Sequence, residues 1–383
     1  MRSYLKKFIR QLVFFIQLFV FFLAYPFAYL FKGIFKYKKV IIGRETANLL
    51  NLYAKLFDCY SINLDVNRFY DSRYQNDLSH LPKALKLLVL PIIFPFVLRN
   101  SSIIYYFSSA SFFISNDGRN FEFKIAKKHN LQVICFLMGS EIRSLKLAQN
   151  LSKKINSDHW SNYLDSRVST QLIAQSDFRS RIYSEAINNH ADVVFGAERD
   201  NISYIKKRIH FIPMPVSRDN YNINREKWND LSQVKILHSP SSPLIKGTQI
   251  VMAAVKKLEL EGYKFTFKFL SGVSQDKVIH ELDDCHFALN EFYAYCPGLF
   301  GIEALEANCL LLTSAKKEFE PSLFDGCDDA WVSTQYYEIY DNLKYYLDNL
   351  DLAKARANQG TLWAKRHCSH LASTNYVDRI VKS

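Results

Sequence analysis

The chain opens on an almost unbroken apolar run, Leu12 to Phe31, and then changes rhythm. That run is about as long as a helix must be to cross ~30 Å of hydrocarbon. A secretory signal fits poorly, because the stretch is too long and no small-residue cleavage site precedes Lys32. Lys and Arg flank both ends, so the positive-inside rule gives a spanning helix no orientation. Gln17 and Pro26 interrupt the run, which suits a helix or short hairpin lying in the membrane interface. Both arrangements stay open, and residues 1–38 are read as a membrane-associated segment. After it, short apolar runs alternate with helical patterns, the signature of parallel α/β architecture.

Lys39 to Gly43 reads as a first strand leading into a helix over Glu45–Phe57. Further strands are expected at Ile103–Phe107, Leu131–Leu137, Val193–Phe195 and His210–Ile212, with helices at Leu81–Leu98, Phe121–His129 and Val168–Asn188. A second set begins with Val234–Leu237 and continues through Thr266–Leu270, His286–Leu289 and Leu310–Thr313. Its helices are Gly247–Leu260 and Ser274–Leu282. Two domains follow, 39–216 and 234–360, joined by a polar linker over 217–233 and followed by a last helix over 361–383. A length of 383 residues allows each domain its own core.

Charge sharpens the reading of the amino terminus. The net charge is +12, but Arg2, Lys6, Lys7, Arg10, Lys32, Lys36, Lys38 and Lys39 supply eight positives with no acid, leaving about +4 for the rest. A nucleic-acid binder would carry a basic stripe on its folded body. Here the excess sits beside the apolar run, which points to anionic lipid and away from nucleic acid. Seven scattered cysteines, without C-x-x-C or zinc spacing, read as reduced core residues.

The densest chemical signal lies at Asn290–Ser314, NEFYAYCPGLFGIEALEANCLLLTS, read with Lys246-Gly247 upstream. A glycine and an acid at a loop–helix junction between two strands is how α/β folds hold nucleotides. Backbone N–H groups at a helix N-terminus attract phosphate, and a carboxylate takes ribose hydroxyls. Alone, the pattern is common: Lys246 would be a solvated loop lysine and Glu303 a first-turn acid favoured by the helix dipole. Motifs for serine hydrolases, P-loop NTPases, HExxH metalloproteases and classical dehydrogenases are missing from the sequence. The Asp pairs at 283–284 and 328–329 read as solvated.

Together, His238–Leu258 (HSPSSPLIKGTQIVMAAVKKL) and the Glu303 segment resemble the donor half of a GT-B glycosyltransferase, closest to the large retaining group known as family 4 or group 1. Gly298-Leu299 matches the family's Gly-rich loop, and Glu303-Ala304-Leu305 matches its Glu-Ala-Met. Asn308 replaces a glycine, a mild change because Asn tolerates the left-handed conformation at a helix end. Tyr295 stands where the family often has a first glutamate, and Leu310 where it has proline. Asn290-Glu291 falls where a subset of surface-polysaccharide transferases carries an Asp-Gln-like pair.

The resemblance implies two Rossmann-like domains facing a cleft, the first for an acceptor and the second for a nucleotide-sugar. It implies that the final helix crosses back to the first domain. No bound metal ion and no cofactor is expected. Lys246, Gly247, Gly298 and Leu299 would hold the donor diphosphate, Glu303 the ribose, and Asn290 and Glu291 the sugar or nucleotide. His238 either joins them or is structural. Gly139-Ser140-Glu141-Ile142-Arg143 resembles the family's Gly-Ser-Asp-x-Arg turn, so Gly139, Ser140, Glu141 and Arg143 are expected at the cleft. There Glu141 and Arg143 orient a phosphate, or pair with each other to pin the loop. Gly196–Asp200 is a further candidate to line the cleft, and the Asn116–Arg119 turn a weaker one. The implied activity is sugar transfer to a lipid-linked or oligosaccharide acceptor in capsule or lipopolysaccharide assembly, at the cytoplasmic face of a bacterial inner membrane. A catalytically silent scaffold is the alternative. The residue that does the chemistry is not identifiable from these motifs.

Overall fold

A computed structural model describes residues 2–31, 37–66, 73–114, 116–162, 170–216 and 226–383. Residues 217–225 of the expected linker and 168–169 of the expected helix from Val168 lie outside these. The first domain carries α1 (Arg2–Leu30), β1 (Lys39–Gly43), α2 (Leu49–Leu56), β2 (Tyr60–Asn63), β3 (Asn76–Asp77) and α3 (Lys83–Asn100). It continues through β4 (Ile103–Phe107), α4 (Asn120–Lys128), β5 (Gln132–Phe136), α5 (Leu145–Lys154), α6 (Thr170–His190), β6 (Val193–Gly196) and β7 (Ile209–Phe211). The second domain holds β8 (Val234–His238), α7 (Thr248–Leu260), β9 (Phe265–Phe269), α8 (Gln275–Asp284), β10 (Phe287–Leu289) and α9 (Gly298–Glu306). Then come β11 (Leu310–Thr313), α10 (Cys327–Ala330), β12 (Val332–Ser333), α11 (Ile339–Asp348), α12 (Leu350–Cys368) and α13 (His370–Lys382).

Each domain is built on one parallel sheet, ordered β3-β2-β1-β4-β5-β6-β7 in the first and β12-β11-β10-β8-β9 in the second. Central strands such as Val40-Ile41-Ile42 and Leu310–Leu312 are fully buried, as strands covered by helices on both faces must be. Functional loops therefore gather at the carboxyl ends of the strands.

Three expectations need correction. The helix expected from Glu45 begins only at Leu49, because Ala47 and Asn48 adopt left-handed backbone, φ 54° and 60°. Glu45 instead caps it, its carboxylate accepting from Leu50 N at 3.3 Å and Asn51 N at 3.1 Å. The long carboxyl-terminal helix is two helices. Ser369 is extended (φ −63°, ψ 155°) and caps α13 by accepting from Ala372 N. Residues 361–368 thus stay with the second domain: Trp363, Ala364 and Cys368 sit in its core. They border the first domain, since Cys368 O accepts from Val216 N at 3.3 Å, and α13 crosses onto it, where Val377 and Val381 pack with Ile41 and Ile134 and Gln132 Nε2 donates to Val381 O at 2.7 Å. β2, missed from sequence, has Ser and Asn among its buried positions and so shows no apolar run.

The apolar opening run is a single helix docked lengthwise on the first domain. One stripe, with Phe14, Gln17, Leu18, Phe21, Ala24, Tyr25 and Ala28, faces inward at helical spacing. Gln17 explains itself: its Nε2 donates to Leu87 O at 2.7 Å and its Oε1 accepts from Ile114 N at 2.6 Å. Farther along, Arg99 covers the Tyr29 ring at 4.3 Å. The opposite stripe leaves Phe8, Leu12, Phe15, Phe19, Phe22 and Phe27 exposed, beside Leu85, Leu88 and Ile92 of α3.

Candidate functional site

The sequence around Lys246 folds as a strand, a Ser/Pro turn and a helix. Gly247 has φ 72° and begins α7, a conformation a side chain would strain. Across from it, Gly298 opens α9 with φ 61°. A Cβ there would stand 3.0 Å from Glu291 Oε1 and 4.0 Å from Lys246 Nζ. Lys246, Glu291 and Gly298, separated by many residues in sequence, thus meet at one point. Lys246 Nζ donates to Glu291 Oε2 at 2.7 Å, with the two side chains 16% and 10% exposed. Burial raises the Glu291 pKa, and Lys246 counteracts it only in part.

The first turn of α9 contains no acid; Glu303 lies in its second turn, so a simple helix-dipole role does not account for it. Glu303 is largely buried and accepts from Gln275 Nε2, at the start of α8. Leu299 packs against the first domain's core, bringing the N-terminus of α9 to the domain boundary. Asn290 holds the approach to that helix by donating to Pro297 O. His238 is fully buried at the end of β8, with Nδ1 2.8 Å from Leu289 O and Nε2 2.8 Å from Thr248 Oγ1. Burial pulls its pKa down to about 4, so it is neutral near pH 7. With both ring nitrogens engaged, it ties β10 and α7 to β8.

The first-domain turn does something different. Gly139 has φ 119°, and a Cβ there would press on Arg143 Nη2 at 3.0 Å and Asn201 Oδ1 at 3.1 Å. Arg143 pairs not with Glu141 but with Asp200, Nη2 to Oδ2 at 2.7 Å. Its guanidinium also lies 4.7 Å from the Trp160 ring centre. Glu141 accepts from Met138 N at 2.5 Å, and Ser140 O accepts from Arg179 Nη2 at 3.0 Å. Asp200 further accepts from Tyr295 N of the second domain at 3.2 Å, while His159 Nε2 stands 3.6 Å away, beyond hydrogen-bond range. Burial alone would raise the Asp200 pKa; the Arg143 charge, with the Tyr295 N–H, overcomes it and holds the carboxyl well below the ordinary range.

One participant was invisible in the sequence, and another was noticed there only as a departure from the family pattern. Glu320, fully buried in the loop after β11, accepts from the consecutive N–H groups of Glu198, Arg199 and Asp200 at 3.0, 2.7 and 2.8 Å. It thereby grips the first domain's Gly196–Asp200 segment from the second. Tyr295 packs its ring 5.0 Å from His159, and its hydroxyl donates to Ser157 O at 3.3 Å. A lone glutamate in a loop carries no pattern that spacing could reveal, and the spacing that marked Tyr295 did not show its partners. Arg119, in the weaker turn candidate, donates to Ser108 O and Ala110 O at 3.0 and 3.1 Å. A separate cavity of about 960 Å³, bordered by Arg199, Lys206, Arg208, Lys317 and Tyr376, contains none of the expected donor residues. No group of three or more metal-ligating side chains occurs among the described residues.

No protein-family model matches the chain, and no curated protein matches it. Solved structures do. Sucrose-phosphate synthase from Thermosynechococcus elongatus is similar over 90% of this chain and 98% of that one, with TM-score 0.57 and 12% identity. The catalytic domain of Starch Synthase IV from Arabidopsis thaliana, bound to ADP and acarbose, covers 90% and 99% at TM-score 0.55 and 9% identity. An alpha-glucosyltransferase in complex with UDP and a 13-mer DNA covers 90% and 100% at TM-score 0.53 and 8% identity. At such identities the likeness concerns the fold. The chain has the GT-B fold expected from its resemblance to group 1 glycosyltransferases, two parallel α/β domains with an apolar helix in front.

Proposed function

We propose that the protein is a glycosyltransferase that moves a sugar from a nucleotide-sugar to a lipid-linked or oligosaccharide acceptor. The observation that carries this reading is the meeting of Lys246, Glu291 and the glycine-opened N-terminus of α9 on a GT-B fold. As the bond to the sugar breaks, negative charge builds on the departing diphosphate. A lysine ammonium and helix N-terminal N–H groups fixed beforehand stabilise that charge without reorganising. Lys246 then exchanges Glu291 for phosphate oxygens, and Glu291 is left to take a proton or a sugar hydroxyl. Glu303 accepts from the ribose. Stereochemical retention comes with the family resemblance, and no metal ion or cofactor enters the scheme.

The outward stripe of α1 supports attachment to the cytoplasmic face of a bacterial inner membrane, where capsule or lipopolysaccharide precursors are assembled. Residues Phe8–Leu30 are long and apolar enough to cross a bilayer, with mean hydropathy 2.1. The lengthwise docking of α1 on α3 favours a helix lying in the interface, because a spanning one would drag the first domain into hydrocarbon.

The test is thermal stabilisation of the detergent-solubilised protein by UDP-, GDP-, ADP- and CMP-sugars, beside Glu303→Ala. One donor class should stabilise the wild type and stabilise the variant less; no shift with any donor would sink the reading. Tyr295, buried against His159 where related enzymes often have a carboxylate, favours one second reading, a silent scaffold. Such a scaffold binds donor without hydrolysing it, so donor turnover decides between the two.

A further inference from the structure

The first domain contains a second cavity, about 670 Å³, at the end of the sheet where the turns after β1, β2 and β4 emerge. The amino-terminal parts of α1 and α3 form its other walls. Arg10, Arg44, Lys83, Lys86 and Arg119 line it, with Asp65 as the one lining carboxylate among the described residues. Asp65 is 3.4 Å from Arg44. Lys86 meets no acid: its Nζ donates to Leu64 O at 2.6 Å and Ser79 O at 2.8 Å. Arg119 is only 3% exposed, and its Nε has no hydrogen-bond partner. The buried Glu122 carboxylate lies close enough to interact with the Arg119 charge, but its hydrogen bonds come from Ser111 Oγ and Phe112 N. Arg10, Arg44 and Lys83 are exposed at the rim, whereas Arg119 is buried with an open N–H donor that an anion in the cavity would complete.

The position of the cavity indicates which anion. α1 is itself a wall, and Gln17 fastens it to both α3 and the turn at Ile114, so the wall cannot swing away without stranding buried polar groups. The outer side of that wall is the exposed apolar stripe of α1, and α3, which packs against α1, also exposes Leu85 and Leu88. A molecule with phosphate at one end and hydrocarbon at the other matches both surfaces. We propose that this cavity holds the phosphate or diphosphate of a membrane lipid acceptor, with the lipid chain lying along the outer face of α1 and α3. The assignment as acceptor rests on the transferase reading above; the binding of phosphate lipid does not.

The experiment uses the full chain, sedimented with phosphatidylcholine vesicles and with the same vesicles doped with phosphatidic acid. Three proteins are compared: wild type, Arg44→Gln/Lys83→Gln at the cavity, and Lys154→Gln/Lys206→Gln, which removes equal charge elsewhere. All four side chains are on the surface, so folding is spared. Phosphatidic acid should tighten binding of the wild type and of the distant pair. The cavity pair should lose about tenfold of that gain while binding neutral vesicles normally. Equal losses in both pairs would mean diffuse charge attraction, and no loss in the cavity pair would leave the site without a role; either overturns the proposal. Inorganic pyrophosphate competing as well as lipid would assign the cavity to free phosphate instead. Donor-induced stabilisation, followed in the same three proteins, keeps the two readings apart: lipid binding with no response to any donor sinks the transferase, not the lipid site.

Discussion

Two ion pairs stand at the carboxyl ends of strands in this molecule, and they behave in opposite ways. Arg143–Asp200 is saturated: the guanidinium reaches Asp200 through both its side chain and its carbonyl, and Tyr295 N adds a bond from the other domain. Glu320 locks the same segment from across the domain boundary. Lys246–Glu291 is sparse. Lys246 Nζ has three donors, and its one hydrogen bond is to Glu291. Two of its donors are therefore left for another acceptor, while burial raises the Glu291 pKa against the pull of the lysine. The comparison separates a cation whose donors are committed to architecture from one that has donors to spare.

The largest effect that would break the contrast is on the saturated pair. Asp200→Ala leaves Arg143 buried without its partner and should cost about 3–5 kcal/mol in urea unfolding. Nucleotide binding to the folded protein should survive, since the donor residues lie on the second domain's own loops. Loss of donor binding with little loss of stability would reverse the roles assigned here.

The next effect is one of pH. His238 in the folded chain titrates at about 4, below its ordinary value of 6.5. Below pH 6.5 the unfolded chain takes up a proton that the folded chain refuses, so stability drains away as pH falls toward 4. The full loss is roughly 3 kcal/mol. His238→Gln should flatten that part of the stability–pH curve; an unchanged curve would mean that the imidazole is not held neutral by Leu289 and Thr248.

Lys246→Ala should weaken nucleoside diphosphate binding by about 2 kcal/mol, some thirtyfold, with little change in unfolding midpoint. Glu291→Gln should act in the other direction, tightening the diphosphate by freeing Lys246. If Glu291→Gln weakens binding instead, the carboxylate is itself a donor ligand. The smallest effect is expected from Glu303→Ala, about 1 kcal/mol in affinity for a ribonucleotide and none for inorganic pyrophosphate, both read by calorimetry.

The loop–helix junctions at Gly247 and Gly298 were legible because they are local. Gly247 and Gly298 must be glycine for their backbone, and Asn308 takes the left-handed conformation (φ 60°) expected of it at a helix end. Strands such as Ile103–Phe107 and Leu310–Thr313 were legible because burial on both faces writes a continuous apolar run. The Gly139–Arg143 turn was legible as a turn but not in its partners. Asp200 and Glu320 belong to loops, and nothing in their spacing connects them to Arg143 or to residues 198–200. Gln17 read as an interruption of an apolar helix, because the carbonyl and N–H it serves come from residues 87 and 114.

By itself, then, the sequence determined the alternation of strand and helix, the glycines that open α7 and α9, and the apolar character of α1, since each follows from backbone sterics or periodicity within a few residues. Tertiary structure alone decided that Lys246 meets Glu291, that Arg143 serves architecture, and that α1 presents one stripe to the protein and the other outward. Those are choices among partners. Which partner wins depends on burial and geometry across the whole fold, not on spacing along the chain.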